Sequence, residues 1–225
     1  MTDRLLVLGN KKYSSWSLRA WIGLEMAGVP FRELVVPLFR PETAAEIARF
    51  SPAGKVPILV DATPMGPVTV HDSLAILEYV NETYGEWRLW PSDPRQRAAA
   101  RCISAEMHAG FPNLRSRLPM NLARSPAPPA PEWAVDVATQ AEIDRILSLW
   151  DEALAVSGGP FLFGEWSIAD CMYLPVVTRL HTYAIPVAQR PRCMEYMERM
   201  LALPAFGRWQ AAGAAESEVH PDYDR

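Results

Sequence analysis

Along the first part of the chain, short apolar runs alternate with segments of helical period. Arg4–Gly9 (RLLVLG) is a brief apolar run that predicts a buried strand. Ser14, Ser15 and Ser17 then offer helix caps ahead of Ala20, Trp21, Leu24 and Ala27, which share the spacing of one helix face. Gly28-Val29-Pro30 stops that helix, and Phe31–Pro37 (FRELVVP) reads as a second strand, followed by a helical stretch at Pro41–Arg49. Pro57–Asp61 (PILVD) and Val68–His71 (VTVH), joined by a turn at Thr63–Pro67, predict a hairpin. Asp72 and Ser73 then cap a helix carrying Leu74, Ile76, Leu77 and Val80.

Beyond Pro91, Asp93 and Pro94 the strand signals vanish. Pro94 suits the first position of a helix capped by Ser92 or Asp93. That helix runs through RQRAAARCISAEMHAG, with Pro112 expected to kink it and Pro119 to end it. Arg124–Pro131 (RSPAPPAP) predicts an exposed loop, and Glu132–Ala155 a helix with Ile143, Ile146, Leu147, Trp150 and Leu154 on one stripe. Ser167 and Asp170, three apart, form a capping-box-like start for a buried helix bearing Met172, Tyr173, Val176 and Leu180. Helices near Arg192–Leu201 and Ala205–Ala215 follow, each introduced by proline. The order β-α-β-α-β-β-α and then helices alone predicts an α/β plus all-α chain. A thioredoxin-like domain spans 1–86, an all-helical domain 92–215 and a polar tail 216–225.

Composition narrows the function classes. The 225 residues are 49% hydrophobic and 21% charged, which excludes a mostly disordered chain. A net charge of −4 leaves no basic footprint, so nucleic acid and anionic membrane are not expected partners. No run reaches the roughly 18 apolar residues of a membrane helix, and the opening MTDRLLVLGNKKYSS lacks the apolar core and cleavage site of a signal peptide. Cys102, Cys171 and Cys193 are odd in number and widely spaced. That argues against a disulfide framework or metal site and suits a reducing cytoplasm.

Three short segments could carry chemistry. Ser14 and Ser15 lie where the first helix presents its unpaired N–H groups, a place that favours a thiolate and supplies it a hydroxyl donor; the alternative is that they only cap the helix. Val56-Pro57, at the start of an apolar strand, can take the cis form and turn the Val56 backbone outward toward a peptide ligand; the alternative is an ordinary trans edge proline. Asp72-Ser73 joins an acid to a free hydroxyl at a helix start, a setting for an ammonium and a carboxylate; again a plain cap is the alternative. One peptide with a thiol, a backbone amide and an α-amino-acid end could touch all three.

These segments carry a family resemblance. YSSWSLRAWIGL resembles the SSCSxR-type opening of zeta-class glutathione transferases. SPAGKVPILVD and HDSLAILEYV resemble the cis-proline and acid-Ser segments of the wider superfamily, and FLFGEWSIADCMYLPVV is similar to its capping-box segment. The resemblance implies glutathione as co-substrate, with no metal, and Ser14 or Ser15 as the hydroxyl facing its sulfur. Val56 beside Pro57 would pair with the cysteinyl unit, Asp72 and Ser73 with the γ-glutamyl end, and Arg40 and Lys55 with the glycyl carboxylate. Tyr13, Trp16, Met107, His108, Phe111 and Arg115 would line the second substrate's pocket, Arg115 favouring anions. Trp16 stands where zeta proteins carry cysteine, so exchange through a protein thiol is not implied. The implied protein is a cytoplasmic homodimer that transfers glutathione to a small electrophile. Its alternatives are a glutathione-dependent isomerase of the maleylacetoacetate type and a non-catalytic ligand-binding or docking relative.

Overall fold

The computed structural model describes residues 4–224 except 85 and 87; the outermost residues of the expected 1–86 domain and 216–225 tail (1–3 and 225) therefore lie outside it. Four strands form one sheet in the order β2-β1-β3-β4. β1 (Arg4–Leu8) runs parallel to β2 (Arg32–Val35) and antiparallel to β3 (Ile58–Thr63), which pairs antiparallel with β4 (Gly66–His71). The period of two in β1 decides what covers each face. Leu6 and Leu8 join the large core beneath α1 (Ser15–Met26) and α3 (Ser73–Thr83). Val7 turns the other way, with Ile58 and Val36, onto Ile47 of α2 (Thr43–Ala48).

α1 is buried almost all round because α3 covers one side of it and the helical half the other. Its approach to α3 needs Gly23: a Cβ there would lie 2.0 Å from Leu77 Cδ2. The helical half comprises α4 (Pro94–Ala109), α5 (Pro112–Arg117), α6 (Val137–Ser157), α7 (Ile168–Thr182), α8 (Pro191–Leu201) and α9 (Pro204–Ala214). α7 is its axis, buried along nearly its whole length and packed on α1, α4 and α8. Its start is the expected capping box: the Asp170 carboxylate accepts from Ser167 N (2.8 Å), Ser167 Oγ (2.9 Å), Leu162 N (3.1 Å) and Tyr196 OH (3.1 Å). This is the thioredoxin-like domain followed by a helical domain.

Two helices differ from the sequence reading. Pro112 does not kink one long helix; it begins a second. Gly110 closes α4 through its N–H to Glu106 O (2.8 Å), Phe111 turns left-handed (φ 60°), and Pro112 takes the first position of α5. A proline disfavours α geometry in the residue before it and removes an N–H, and both suit a break. The expected helix from Glu132 starts five residues later. Pro131–Trp133 forms a short 3₁₀ turn, and Asp136 caps α6 by accepting from Thr139 N (2.8 Å).

Candidate functional site

The β1–α1 loop places three serines at a helix start. Ser14 is the N-cap, its Oγ accepting from Ser17 N at 3.2 Å. Ser14 Oγ also lies 2.8 Å from Ser17 Oγ, which in turn accepts from Gly9 N at 2.9 Å. Ser14 lines a cleft of about 870 Å³, within the size range of small-molecule sites. The opposite walls come from two other segments. Val56-Pro57 is cis, and Lys55, Val56 and Pro57 all line the cleft. Asp72, at φ 80°, holds a conformation that L side chains rarely adopt, and such strain concentrates at functional sites. Its Oδ1 caps α3 through Leu74 N (2.8 Å), while its Oδ2 lies 3.3 Å from Nε2 of His108, reaching across from α4. Ser73 is fully buried at the cleft wall, and its Oγ has no hydrogen-bond partner among the described residues. A buried hydroxyl without a partner is an acceptor and donor waiting for a ligand.

A smaller recess of about 220 Å³ shares Ser14 and Trp16 with the cleft and adds Tyr13, Ser15, Arg115 and Arg179. Guanidinium groups dominate it. Trp16 lies between two of them, with Arg19 Cζ 4.6 Å and Arg115 Cζ 4.8 Å from its ring centre. Arg179, almost fully buried, donates to Leu118 O (2.8 Å) and, at 3.4 Å, to Ser15 Oγ. None of these three arginines forms a salt bridge with a carboxylate among the described residues. Burial, helped by the charge of Arg115, brings Arg179 down to about 10. Burial lowers Arg115 also, and Arg19 further, where both other arginines add repulsion. The recess therefore carries positive charge without a carboxylate partner among the described residues and suits an anion.

The polar C-terminal residues fold back over this loop. The Glu216 carboxylate accepts from Lys11 N (2.7 Å) and Lys12 N (3.0 Å). Glu218 O accepts from Tyr13 OH (2.9 Å), and Asp224 accepts from Tyr13 OH and from Asn121 Nδ2 (2.9 Å). The Tyr223 ring, 5.1 Å from that of Tyr13, forms part of the wall of both cavities. Burial and the bond to Asp224 raise Tyr13, whose hydroxyl is thus committed to the tail and not to activating a thiol.

Of the residues marked in the sequence, Ser14, Trp16, Lys55, Val56, Pro57, Asp72, Ser73 and His108 meet around the cleft. Tyr13, Ser15 and Arg115 meet around the recess. Three stand apart. Met107 and Phe111 are buried in the core and line neither cavity, because the inner face of α4 packs on α7. Arg40 is exposed and pairs with Glu218 (2.7 Å). Arg115 also has a structural task, capping the end of α4 through Gly110 O (3.0 Å), His108 O (3.1 Å) and Met107 O. Sequence reasoning missed Arg179, Phe39 and Tyr223; only the polar, aromatic composition of the tail hinted at the last. No group of three or more His, Cys, Asp or Glu among the described residues is placed to hold a metal, and no described helix is long and apolar enough to cross a membrane.

Two family models match the chain: the N-terminal domain of glutathione S-transferase over residues 13–83, and its C-terminal domain over residues 122–199. A probable maleylacetoacetate isomerase of Caenorhabditis elegans is 27% identical over 207 residues, covering 92% of this chain and 93% of that protein. A glutathione S-transferase of Escherichia coli (strain K12) is 25% identical over 202 residues, 89% of this chain and 95% of that one. Among solved structures, a glutathione transferase homolog from Burkholderia with bound glutathione superposes with a TM-score of 0.69 at 23% identity. That alignment covers 96% of this chain and all of the other.

Proposed function

From the premise that the chain belongs to the glutathione S-transferase family, with that family's N- and C-terminal domains, we propose that it binds glutathione in the large cleft and activates its thiol through a serine hydroxyl for attack on a small electrophile. The observation that carries this reading is that Ser73, whose buried Oγ has no hydrogen-bond partner among the described residues, lines the same cleft as Ser14, Val56 and Pro57. Ser73, at the start of α3, would take the γ-glutamyl carboxylate, and Asp72 the ammonium. Val56 would pair with the cysteinyl backbone, and Lys55 would face the glycyl carboxylate. The sulfur would then lie at Ser14, where a donated hydrogen bond and the start of α1 stabilise the thiolate. The protein's contribution is ionisation and positioning, with the electrophile held in the recess.

A second reading is favoured by the guanidinium groups of the recess, which have no carboxylate partner among the described residues and suit a carboxylate-bearing substrate, and by relatives named maleylacetoacetate isomerase. There the thiolate would add to a conjugated double bond, allow rotation about the resulting single bond, and leave again, so that glutathione is regenerated. In either reading the chain acts in the cytoplasm as a homodimer paired through α3 and α4; sedimentation of the purified protein as a monomer would dismiss that pairing. Calorimetry of glutathione binding at pH 7, with the thiolate followed by ultraviolet absorbance, tests the core proposal. Wild type binds and ionises glutathione while Ser14→Ala binds without ionising it. A wild type that does not bind glutathione leaves only a ligand carrier of another kind.

A further inference from the structure

We infer that Ser17, a residue outside the cleft lining, is the positioning residue that aims the Ser14 proton at the bound sulfur; the inference rests on the serine-activated reading above. A hydroxyl can rotate to suit any acceptor, so Ser14 is useful to a thiolate only if its other hydrogen-bonding sites are already taken. The proton inventory of the loop takes them. Ser17 is fully buried, and its Oγ accepts from Gly9 N at 2.9 Å. It has one proton left to place, and no carbonyl or carboxylate among the described residues accepts it. Ser14 Oγ, 2.8 Å away, is the acceptor in reach. Were Ser14 to donate to Ser17 instead, the Ser17 proton would be buried with no acceptor among the described residues, a desolvation cost that donation by Ser17 avoids.

Ser14 therefore accepts twice from one neighbour, from Ser17 N (3.2 Å) and from the Ser17 hydroxyl, which fills both lone pairs. Its own proton is left for the cleft that it lines. The resulting chain runs from the Gly9 N–H through Ser17 to Ser14 and on to the sulfur, all donors pointing one way. Such chains polarise each other and strengthen the last bond. Ser15 has no comparable support. Its hydroxyl contact is Arg179 Nη2 at 3.4 Å, and it lines only the smaller recess. The inventory thus separates two serines that are adjacent in sequence.

The test is a pH titration of thiolate absorbance in the glutathione complexes of wild type, Ser17→Ala, Ser17→Cys, Ser17→Thr and Ser14→Ala, with affinities by calorimetry. Ser17→Ala should keep its glutathione affinity within about twofold and raise the midpoint of thiol ionisation by roughly half to one pH unit. At pH well below the midpoint that is a loss of about three- to tenfold in thiolate. Ser17→Thr, which keeps the hydroxyl, restores the wild-type midpoint. Ser17→Cys keeps the volume but donates poorly and follows the alanine variant, so shape is separated from hydrogen bonding even if the threonine methyl is not tolerated. A wild-type midpoint in Ser17→Ala or Ser17→Cys, with a raised one in Ser14→Ala, overturns the inference and leaves the serine-activated reading standing. So does a cysteine variant that loses affinity together with ionisation, since Ser17 then only shapes the loop. An unchanged midpoint in Ser14→Ala removes the underlying reading itself.

Discussion

Replacing Ser73 with alanine should move stability and affinity in opposite directions. The Ser73 hydroxyl is fully buried and has no hydrogen-bond partner among the described residues, and leaving such a group unsatisfied costs about 1–3 kcal/mol. Alanine removes that penalty and leaves a small void, so the net gain is about 1 kcal/mol, or a rise in melting temperature of about 2–4 °C for a chain this size. The helix start is unharmed, because Asp72 supplies the cap. With glutathione the balance reverses. A hydrogen bond from this hydroxyl to a ligand carboxylate is worth about 1.5–3 kcal/mol, so the variant should bind roughly 10- to 100-fold more weakly. At a concentration 100 times the wild-type Kd, binding stabilises wild type by about 2.7 kcal/mol and the variant by about 0.4–1.4 kcal/mol. The two unfolding curves should therefore exchange order when glutathione is added. Chemical denaturation with and without glutathione, and calorimetry for Kd, measure both halves. A variant less stable than wild type without ligand would show that the hydroxyl already has a partner. Unchanged affinity would remove the carboxylate from this helix start.

Other consequences are as concrete. Asp170→Asn should destabilise the fold by about 3 kcal/mol, because an amide N–H₂ replaces one of two oxygens that each face two donors; urea unfolding reads it. Burial lifts the Asp170 carboxyl from 3.8 to about 6 despite those bonds, so its folded value lies above its unfolded one. Its contribution is then complete below the unfolded value and is lost as pH rises through 6, and the asparagine variant should lack that fall between pH 4 and 6. Arg179→Gln should raise KM for a carboxylate-bearing electrophile about tenfold while sparing a neutral one; equal effects on both would deny the recess its selectivity. Ending the chain at Ala215 should bring the ionisation of Tyr13 back down toward its ordinary value, seen in an ultraviolet tyrosine titration, because both the burial and the Asp224 bond that raise it are removed.

The fold was legible because its signals are local. The apolar run of β1, the hairpin of β3 and β4 with its Pro64-Met65 turn, and the Ser167–Asp170 box each declare themselves within a few residues. The cleft was legible for the same reason, since each of its three segments is a helix or strand start that sets its own geometry. What escaped depends on contacts distant in sequence. Tyr223 reaches the site only because Glu216 binds the Lys11 and Lys12 amides some 200 positions earlier. Arg179 looks like one residue on a buried helix until α7 crosses the serine loop. Met107 and Phe111 erred the other way: the helical face expected to carry both breaks at Gly110, and nothing local says that Met107 on α4 and Phe111 in the turn before α5 both meet the core and not a cavity.

The division between cleft and recess has a chemical consequence. The cleft offers a carboxylate at Asp72 together with N–H and hydroxyl donors, a mixed set that matches a zwitterionic peptide end. The recess offers the guanidinium groups of Arg115 and Arg179 beside hydroxyls and rings, with no carboxylate in its lining, and it shares Ser14, Trp16, Leu38, Phe39 and Tyr223 with the cleft. A thiolate at Ser14 would thus feel both the hydroxyl and the field of Arg115 and Arg179, which a low-dielectric wall strengthens. That field would favour ionisation of the thiol before the second substrate arrives, but a strongly stabilised thiolate is a weaker nucleophile. An anionic electrophile entering the recess would neutralise part of the same field. The charge that holds the sulfur ready would then be withdrawn as the carbon to be attacked comes into place, whereas a neutral electrophile would gain no such help. Arg179 would therefore bear on ionisation and nucleophilicity as well as on binding: its loss should raise the midpoint of thiol ionisation and erase any kcat advantage of an anionic substrate over a neutral one.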